Sequence, residues 1–459
     1  MPKKSLLAFL LCLLLTCPAP LATLAAESDM DGEVLAPAFA VFDLADPETF
    51  IYAKNPDRRI YPASTTKIMT CILAIELCGD LNEPVEVPDV ATRLKSTNTL
   101  MGLKRGEVLP LIDLLYGMML PSGNDAAIAV AYHFAEDVEQ FAVLMNEKAA
   151  ELGMENTNFV NASGVFKGQH YSTARDMARL SAYAMQNETF RKIVSTREYT
   201  VPANEARSNE LHLVNTNRLV SDPEDSKFYY EYAVGCKTGS TEKGGKCLVA
   251  AAEKDGVTLV AVLMGVLEGG GKSERIRRCF SDSKMMFETI YETMYATVTA
   301  EELGLSSYQA ETTVAHSRLN DPGDGLLQMF ADFSGQSVTL PGEVIAALQA
   351  DSSRTTAEIT LPEAGVSAPV REGDVLGQVT LFYGDRVLFS GELLAARSVE
   401  AYDPADEPSP SPAPAASPSP APQNPGPPNP GFLRYGLLAL PVLLIAAILI
   451  ALVRRRKQR

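Results

Sequence analysis

The chain has 459 residues, of which 46% are apolar and 21% charged, a composition typical of a globular protein with room for more than one domain. Its formal net charge of −17 argues against nucleic acid as a partner, because binding phosphates requires a basic surface. The four histidines lack the spacing of known metal motifs, so we predict no metal and no cofactor.

The chain begins with a targeting segment. Lys3 and Lys4 precede an apolar run at residues 6–15, and small residues follow around Ala26. This order is typical of a secretory signal. We therefore predict that residues 1–26 are a signal peptide and that the remainder of the chain is exported.

Two regions of different pattern follow the signal. Residues 37–296 alternate helical and strand patterns, which predicts an α/β (α+β) fold with an antiparallel sheet flanked by helices. Residues 310–398 instead contain short strand patterns separated by Gly-Asp turns. We predict that this second region is a small all-β domain.

A serine and a lysine three positions apart begin an apolar helix in the larger region. Ser64 and Lys67 stand at the start of a run that begins after Pro62 and stops at Gly79, with apolar residues on nearly every side. The spacing places hydroxyl and amine on one helix face. Free N–H groups at the helix start can also stabilise an oxyanion. The pair therefore indicates a nucleophilic serine with an amine as its base.

This Ser-x-x-Lys pattern is weak without its context. Lys67 can act as a base only if its pKa falls from about 10.4 towards neutrality, which requires burial and a second cation nearby. The same spacing occurs at Ser240 and Lys243 and again at Ser281 and Lys284. A capping serine followed by a surface lysine is the alternative interpretation of each copy.

The second element is a Ser-Gly-Asn motif between two apolar helical runs, where a tight corner would hold polar side chains rigidly. Ser122 can relay a proton between Lys67 and a leaving group, and Asn124 can bind a substrate amide or orient Lys67. An ordinary turn capped by Asp125 is the alternative. Residues 96–98 also match Ser-x-Asn, so this motif too depends on its surroundings.

The third element is a Lys-Thr-Gly motif on a predicted edge hairpin. Lys237 would supply the second cation, Thr238 a hydroxyl for a substrate carboxylate, and Gly239 space for a close backbone. A solvent-facing lysine on an edge strand is the alternative. Cys236 and Cys247 bracket this hairpin and either form a disulfide or pack as small apolar residues. Five cysteines remain after the signal, so at least one thiol stays free.

The C-terminal part predicts a membrane anchor. Residues 404–430 are rich in proline, alanine and serine, which is typical of an extended linker. Residues 435–453 are apolar over a length that can cross a bilayer, and the basic residues of 454–459 favour the cytoplasmic side. We predict a single-pass cell-membrane protein with its folded part outside the cell.

Together and in this order, the three motifs resemble the signature sites of the serine penicillin-binding and β-lactamase superfamily. More narrowly, the chain resembles the low-molecular-mass D-alanyl-D-alanine carboxypeptidases. That narrower likeness includes residues 103–107, 122–127, 152–159, 161–164 and 170–176. It covers residues 37–296 closely, as a catalytic domain, and residues 310–398 loosely.

The resemblance implies a serine carboxypeptidase that removes the terminal D-Ala of peptidoglycan stem peptides and is acylated by β-lactam antibiotics. Ser64 would be acylated by the penultimate D-Ala carbonyl with Lys67 as base, and Thr238 would hold the terminal carboxylate. The backbone N–H groups of Ser64 and Ser240 would form the oxyanion hole. The predicted catalytic residues are Ser64, Lys67 and Ser122, and the predicted substrate-binding residues are Asn124, Lys237, Thr238, Gly239 and Ser240.

Three other functions remain as alternatives. A β-lactamase requires fast deacylation, usually by a loop that carries a glutamate, whereas residues 155–176 match the carboxypeptidase pattern. A DD-endopeptidase would use the same reacting atoms. A non-catalytic wall-binding protein would be expected to have lost part of the polar motif set. Within the family-like segment, His170 and Asp176 are assigned to structural support.

Overall fold

The computed structural model describes residues 34–95, 98–221, 227–267, 270–318 and 321–403. The predicted signal peptide (1–26), linker (404–430), membrane span (435–453) and basic tail (454–459) lie outside the described residues. Within the described part, no helix combines the length and the apolar character that crossing a membrane requires.

In residues 38–293, strands lie near both ends of the segment and most of the helices lie between them in the chain. In chain order the elements are β1 (Ala38–Asp43), β2 (Asp46–Lys54), α1 (Lys67–Leu77), β3 (Pro84–Glu86), β4 (Val108–Pro110), α2 (Leu111–Met119), α3 (Asn124–Phe134), α4 (Val138–Glu151), α5 (Ala174–Met185), α6 (Glu188–Ser195), β5 (Glu198–Val201), β6 (Leu211–Val214), β7 (Ala233–Thr241), β8 (Gly245–Lys254), β9 (Val257–Val266) and α7 (Lys272–Thr293). Short 3-10 helices cover Ala63–Thr66, Asp89–Arg93 and Arg218–Val220.

Five of these strands form one antiparallel sheet in the order β2-β1-β9-β8-β7. Successive side chains of a strand point to opposite faces, and both faces are covered. In β1, Phe39 and Val41 join a hydrophobic cluster with Phe287 of α7. Ala40 and Phe42 join the cluster that contains α1 to α6. The prediction of an antiparallel sheet flanked by helices is confirmed.

Helix α1 runs through the interior of the helical layer. Its residues from Lys67 to Ala74 are all buried, as the absence of a polar face predicts. The predicted start after Pro62 is correct, but the first turn, Ala63–Thr66, is a 3-10 helix. At the other side of this turn, β7 is the edge strand of the sheet, so its free edge faces the start of α1.

A second sheet follows α7. Its part of the chain contains β10 (Tyr295–Thr299), β11 (Ser307–Ala315), β12 (Leu326–Asp332), β13 (Ser337–Pro341), α8 (Gly342–Ala350), a 3-10 turn (Ser352–Arg354), β14 (Thr356–Thr360), β15 (Val366–Ser367), β16 (Val375–Tyr383) and β17 (Arg386–Ala395). Six strands are ordered β14-β16-β17-β12-β11-β15, and β10 pairs with β13. The prediction of an all-β region was wrong at α8, a nine-residue helix whose side chains Ile345 and Leu348 complete the hydrophobic cluster of this region.

A largely buried ion pair joins the two sheets. Arg386 Nη1 lies 2.9 Å from Asp43 Oδ2, and the Tyr295 hydroxyl donates to the same oxygen at 2.6 Å. The other Asp43 oxygen accepts from the backbone N–H of Ala45 at 2.9 Å. The Asp43 carboxylate, at the last residue of β1, therefore holds the second sheet against this end of the first sheet.

Candidate active site

Ser64 and Lys67 meet in the 3-10 turn that precedes α1. Lys67 Nζ lies 3.1 Å from Ser64 Oγ, within hydrogen-bond distance. A 3-10 helix has three residues per turn, so residues three apart lie directly above one another. The turn begins at Ala63, whose φ of +52° is rare for a residue with a side chain. Such backbone strain concentrates at functional sites, where the surrounding structure enforces it.

The amine of Lys67 is fully buried among neutral oxygens. It donates to Asn124 Oδ1 at 2.7 Å and to the backbone carbonyl of Ser163 at 2.8 Å. Burial lowers the pKa of Lys67 well below its ordinary value, the charge of Lys237 lowers it further, and Asp125 acts in the opposite direction. An uncharged amine beside the Ser64 hydroxyl can accept its proton.

The Ser-Gly-Asn motif forms the corner between α2 and α3, as predicted. Ser122 adopts a φ of +67°, and a Cβ on Gly123 would lie 2.7 Å from the carbonyl oxygen of Gly117. The corner therefore requires glycine at its centre. Ser122 is buried as a residue, with 7% of its surface exposed.

A chain of amides fixes the orientation of Asn124. Its Oδ1 faces Lys67, so its Nδ2 donates to Asn98 Oδ1, at 3.1 Å. Asn98 Nδ2 in turn donates to the backbone carbonyl of Lys95 at 3.1 Å. Asn98 belongs to the second Ser-x-Asn match in the sequence, and it contributes to the site by holding Asn124.

Asp125 does more than cap a turn. Its buried carboxylate accepts from the backbone N–H groups of Met101 at 2.7 Å, Gly102 at 2.7 Å and Leu103 at 3.0 Å. The carboxylate thus holds the loop that follows Asn98 against the start of α3. This role was not evident from the sequence, because the residues that it joins are more than twenty positions apart.

The Lys-Thr-Gly motif lies on edge strand β7, which forms the predicted hairpin with β8. Lys237 is only 1% exposed, and burial lowers its pKa to about 7. This finding excludes a solvent-facing lysine. A Cβ on Gly239 would lie 3.0 Å from the carbonyl oxygen of Pro62, so the glycine brings β7 against the Ser64 turn. The Ser240 hydroxyl accepts from Lys246 Nζ at 2.6 Å.

The cysteines beside this strand do not pair. Cys236 and Cys247 are buried free thiols, as are Cys71 and Cys279, and Cys78 is a partly exposed free thiol. Burial raises the pKa of Cys236 to about 12 and that of Cys247 to about 11. These two side chains therefore pack as apolar residues.

Segment 161–164 completes the site, a role that its sequence did not predict. Ser163 supplies the carbonyl that binds Lys67, and Gly164 follows with a φ of +78°. A Cβ on Gly164 would lie 1.8 Å from the carbonyl oxygen of Ala63, so the segment packs directly on the Ser64 turn. The conformational freedom of a glycine after a polar turn was the only local signal for this contact.

His170 supports the same turn from behind. Its Nδ1 accepts from the backbone N–H of Val160 at 3.1 Å, so Nε2 carries the proton and donates to Thr66 Oγ1 at 2.8 Å. Burial lowers the pKa of His170 to about 4, which keeps the ring neutral. Asp176 accepts from Thr157 Oγ1 at 2.7 Å and does not contact the reacting groups.

The assembled groups define a class of enzyme. A serine hydroxyl is in contact with a buried amine of lowered pKa, and a second buried lysine and a rigid Ser-Gly-Asn corner surround them. This arrangement contains the groups that serine acyl transfer with a lysine as base would require.

The comparisons with known proteins give the family. The family described as D-alanyl-D-alanine carboxypeptidase matches residues 25–268, and the chain belongs to this family of serine-type peptidases. The chain is 27% identical to the D-alanyl-D-alanine carboxypeptidase DacF of Bacillus subtilis over 365 residues, which are 79% of this chain and 85% of that one. It is 34% identical to the D-alanyl-D-alanine carboxypeptidase of a Streptomyces strain over 233 residues, 47% of this chain and 76% of that one.

A solved structure agrees with this assignment. The DD-transpeptidase of Streptomyces K15 superposes with a TM-score of 0.50 at 29% identity, covering 56% of this chain and 98% of that one. The predicted family and enzyme class are thereby confirmed.

Proposed function

We propose that the chain removes the terminal D-Ala from peptidoglycan stem peptides through an acyl-enzyme on Ser64. The observation that carries this proposal is the 3.1 Å contact between Ser64 Oγ and the buried amine of Lys67, whose pKa is well below its ordinary value. Lys67 accepts the Ser64 proton while Oγ bonds to the carbonyl carbon of the penultimate D-Ala. The tetrahedral intermediate then expels the terminal D-Ala, and water later releases the shortened peptide.

The remaining predicted residues have roles that follow from their positions. Ser122 passes a proton to the amine of the leaving D-Ala, because this residue stands in the corner that also holds Asn124. Asn124 orients Lys67. Lys237 and Thr238 bind the terminal carboxylate, whose charge would favour the protonated form of Lys237.

The oxyanion is stabilised by backbone N–H groups. Ser64 lies in the first turn before α1, where N–H groups have no helical partners, and Ser240 lies on the edge strand that faces this turn. Gly239 permits the approach of these two backbone segments. β-Lactam antibiotics acylate Ser64 as substrate mimics, in agreement with membership of the carboxypeptidase family.

Labelling with a fluorescent penicillin tests the acyl-enzyme. The wild-type chain should be labelled, and Ser64→Ala should lose the label. Ser281→Ala is a matched control, since Ser281 and Lys284 share the same spacing but the Ser281 hydroxyl donates to the backbone carbonyl of Arg277 at 3.1 Å. A label that persists in Ser64→Ala would contradict the proposal. A wild-type chain without label would favour the non-catalytic alternative.

Product analysis separates the enzymatic alternatives. Release of free D-Ala from a peptide that ends in D-Ala-D-Ala is expected. Rapid hydrolysis of penicillin without D-Ala release would indicate a β-lactamase, and cleavage of cross-linked dimers in preference to the linear peptide would indicate an endopeptidase.

We further propose that the chain is exported and anchored by one membrane span at residues 435–453, with the catalytic part on the outer side. The support is the sequence alone: the signal pattern of residues 1–26, the apolar length of the span and the basic tail at 454–459. Fractionation tests this proposal. The full chain should sediment with membranes, whereas a chain that ends at residue 403 should be released, and equal distribution of the two would contradict it.

A further inference from the structure

Thr216 connects two elements of the site that the sequence motifs treat separately. Its backbone N–H and its hydroxyl both donate to the carbonyl oxygen of Leu120, at 3.0 Å and 3.1 Å, just before the Ser-Gly-Asn corner. Its Oγ1 also lies 2.8 Å from Thr238 Oγ1 of the Lys-Thr-Gly motif. Thr216 is exposed and Thr238 is partly exposed, so both hydroxyls lie where a substrate can reach them.

The protons of these two hydroxyls can be assigned. A threonine hydroxyl donates one proton and accepts through two lone pairs. Because Thr216 donates to Leu120, the bond between the two threonines must be donated by Thr238. In this arrangement Thr238 has no proton left for a carboxylate.

The contact with Leu120 makes this arrangement reversible. The carbonyl oxygen of Leu120 keeps its bond from the Thr216 backbone N–H when the Thr216 hydroxyl turns away. This rotation of the hydroxyl therefore leaves no buried carbonyl without a hydrogen bond. An unpaired buried carbonyl would cost free energy. Thr216 can then donate to Thr238, and the proton of Thr238 becomes available to a bound carboxylate.

We propose that Thr216 is a positioning residue that sets the donor direction of Thr238 and so contributes to selectivity for substrates with a free terminal carboxylate. This inference rests on the carboxylate-binding role of Thr238 in the proposed function. In the substrate complex Thr216 donates to Thr238 and Thr238 donates to the carboxylate. Each bond in such a chain polarises and strengthens the next.

This role differs from simple packing. The side chain of Thr216 is exposed, and the backbone bond to Leu120 does not depend on the hydroxyl. Valine has nearly the same shape as threonine, so Thr216→Val should keep the fold and remove only the donor. Serine keeps the donor, so Thr216→Ser should restore it.

Acylation by a penicillin with a free carboxylate and by its methyl ester provides the test. The strained ring reacts with the serine in either form, so both rates can be followed by the mass of the intact protein. For Thr216→Val, we expect the acylation rate constant to fall about 3- to 10-fold with the carboxylate and to change less than about 2-fold with the ester. Thr216→Ser should stay within about 2-fold of wild type for both.

Two further variants make the result specific. In a Thr238→Val background, Thr216→Val should cause no additional loss, because Thr216 acts only through Thr238. Thr297→Val is a matched control, since Thr297 Oγ1 forms an equivalent bond of 2.9 Å with Thr339 Oγ1 between β10 and β13. It should leave both rates unchanged.

Several outcomes would overturn the inference. Equal losses with carboxylate and ester, additive losses in the double variant, or an unchanged rate in Thr216→Val would each do so. If Thr238→Val itself fails to reduce the preference for the carboxylate, the proposed role of Thr238 fails together with that of Thr216. The acyl-enzyme on Ser64 is tested separately by the penicillin label and would stand in either case.

Discussion

Substitution of Gly164 by alanine tests the packing of segment 161–164 on the Ser64 turn. The added Cβ would lie 1.8 Å from the carbonyl oxygen of Ala63 and 2.9 Å from Thr66 Oγ1. Real Cβ atoms essentially never lie closer than 3.0 Å to another heavy atom, so segment 161–164 and the Ala63 carbonyl must separate by more than 1 Å. Ser64 is the next residue, and a displacement of about 1 Å can slow a reaction about 100-fold. We expect Gly164→Ala to reduce the penicillin acylation rate by roughly this factor.

Gly335→Ala is the matched control for backbone strain. Gly335 has the same φ of +78°, but no atom lies within 4 Å of the position that an added Cβ would take, so only the cost of the left-handed conformation applies. Both variants should therefore lose about 1 to 2 kcal/mol of stability from strain, but only Gly164→Ala should lose acylation. Circular dichroism would establish that each variant is folded. A folded Gly164→Ala that acylates within about 3-fold of wild type would refute the packing argument.

Three buried or largely buried ionisable side chains can each be tested by substitution. The pKa of His170 is about 4 in the folded chain and near 6.5 when unfolded, so the unfolded state binds the proton first as the pH falls. In urea unfolding, the free energy of unfolding should fall by roughly 3 kcal/mol between pH 6.5 and 4 because of this residue, and this fall should be absent in His170→Gln. Lys237→Met removes a charge that lowers the pKa of Lys67, so the pH profile of acylation should shift upward, and an unchanged profile would contradict this. Arg386→Met leaves the buried Asp43 without its cation and should cost about 3 kcal/mol in urea unfolding while the penicillin label is retained; loss of the label in a folded variant would be unexpected.

The local patterns in the sequence predicted the elements of the site correctly. The apolar run after Lys67 predicted a buried helix, and the Lys-Thr-Gly motif predicted an edge hairpin. These predictions succeed because helix and strand periodicity and glycine turns depend on neighbouring residues. Helix α8 was missed because a nine-residue helix beside strand patterns has little periodicity of its own.

The three Ser-x-x-Lys copies have the same spacing but different contacts, which the local sequence could not predict. Ser240 accepts from Lys246, while Lys243 lies 4.7 Å from the centre of the Phe166 ring. Ser281 donates to backbone carbonyls within α7. Only at Ser64 does the lysine three residues on contact the hydroxyl, because only there is the amine enclosed by other parts of the chain.

The sequence by itself predicted the candidate reacting groups, and it determined the order of their motifs and the local elements that carry them, since these depend on residue type and short spacing. Only the tertiary structure decided what surrounds them. The carbonyl of Ser163 is 96 positions from Lys67, and the side chain of Asn124 is 57 positions away. The pKa of Lys67 depends on burial by all of these segments together, and so does the role as a base that is proposed for it.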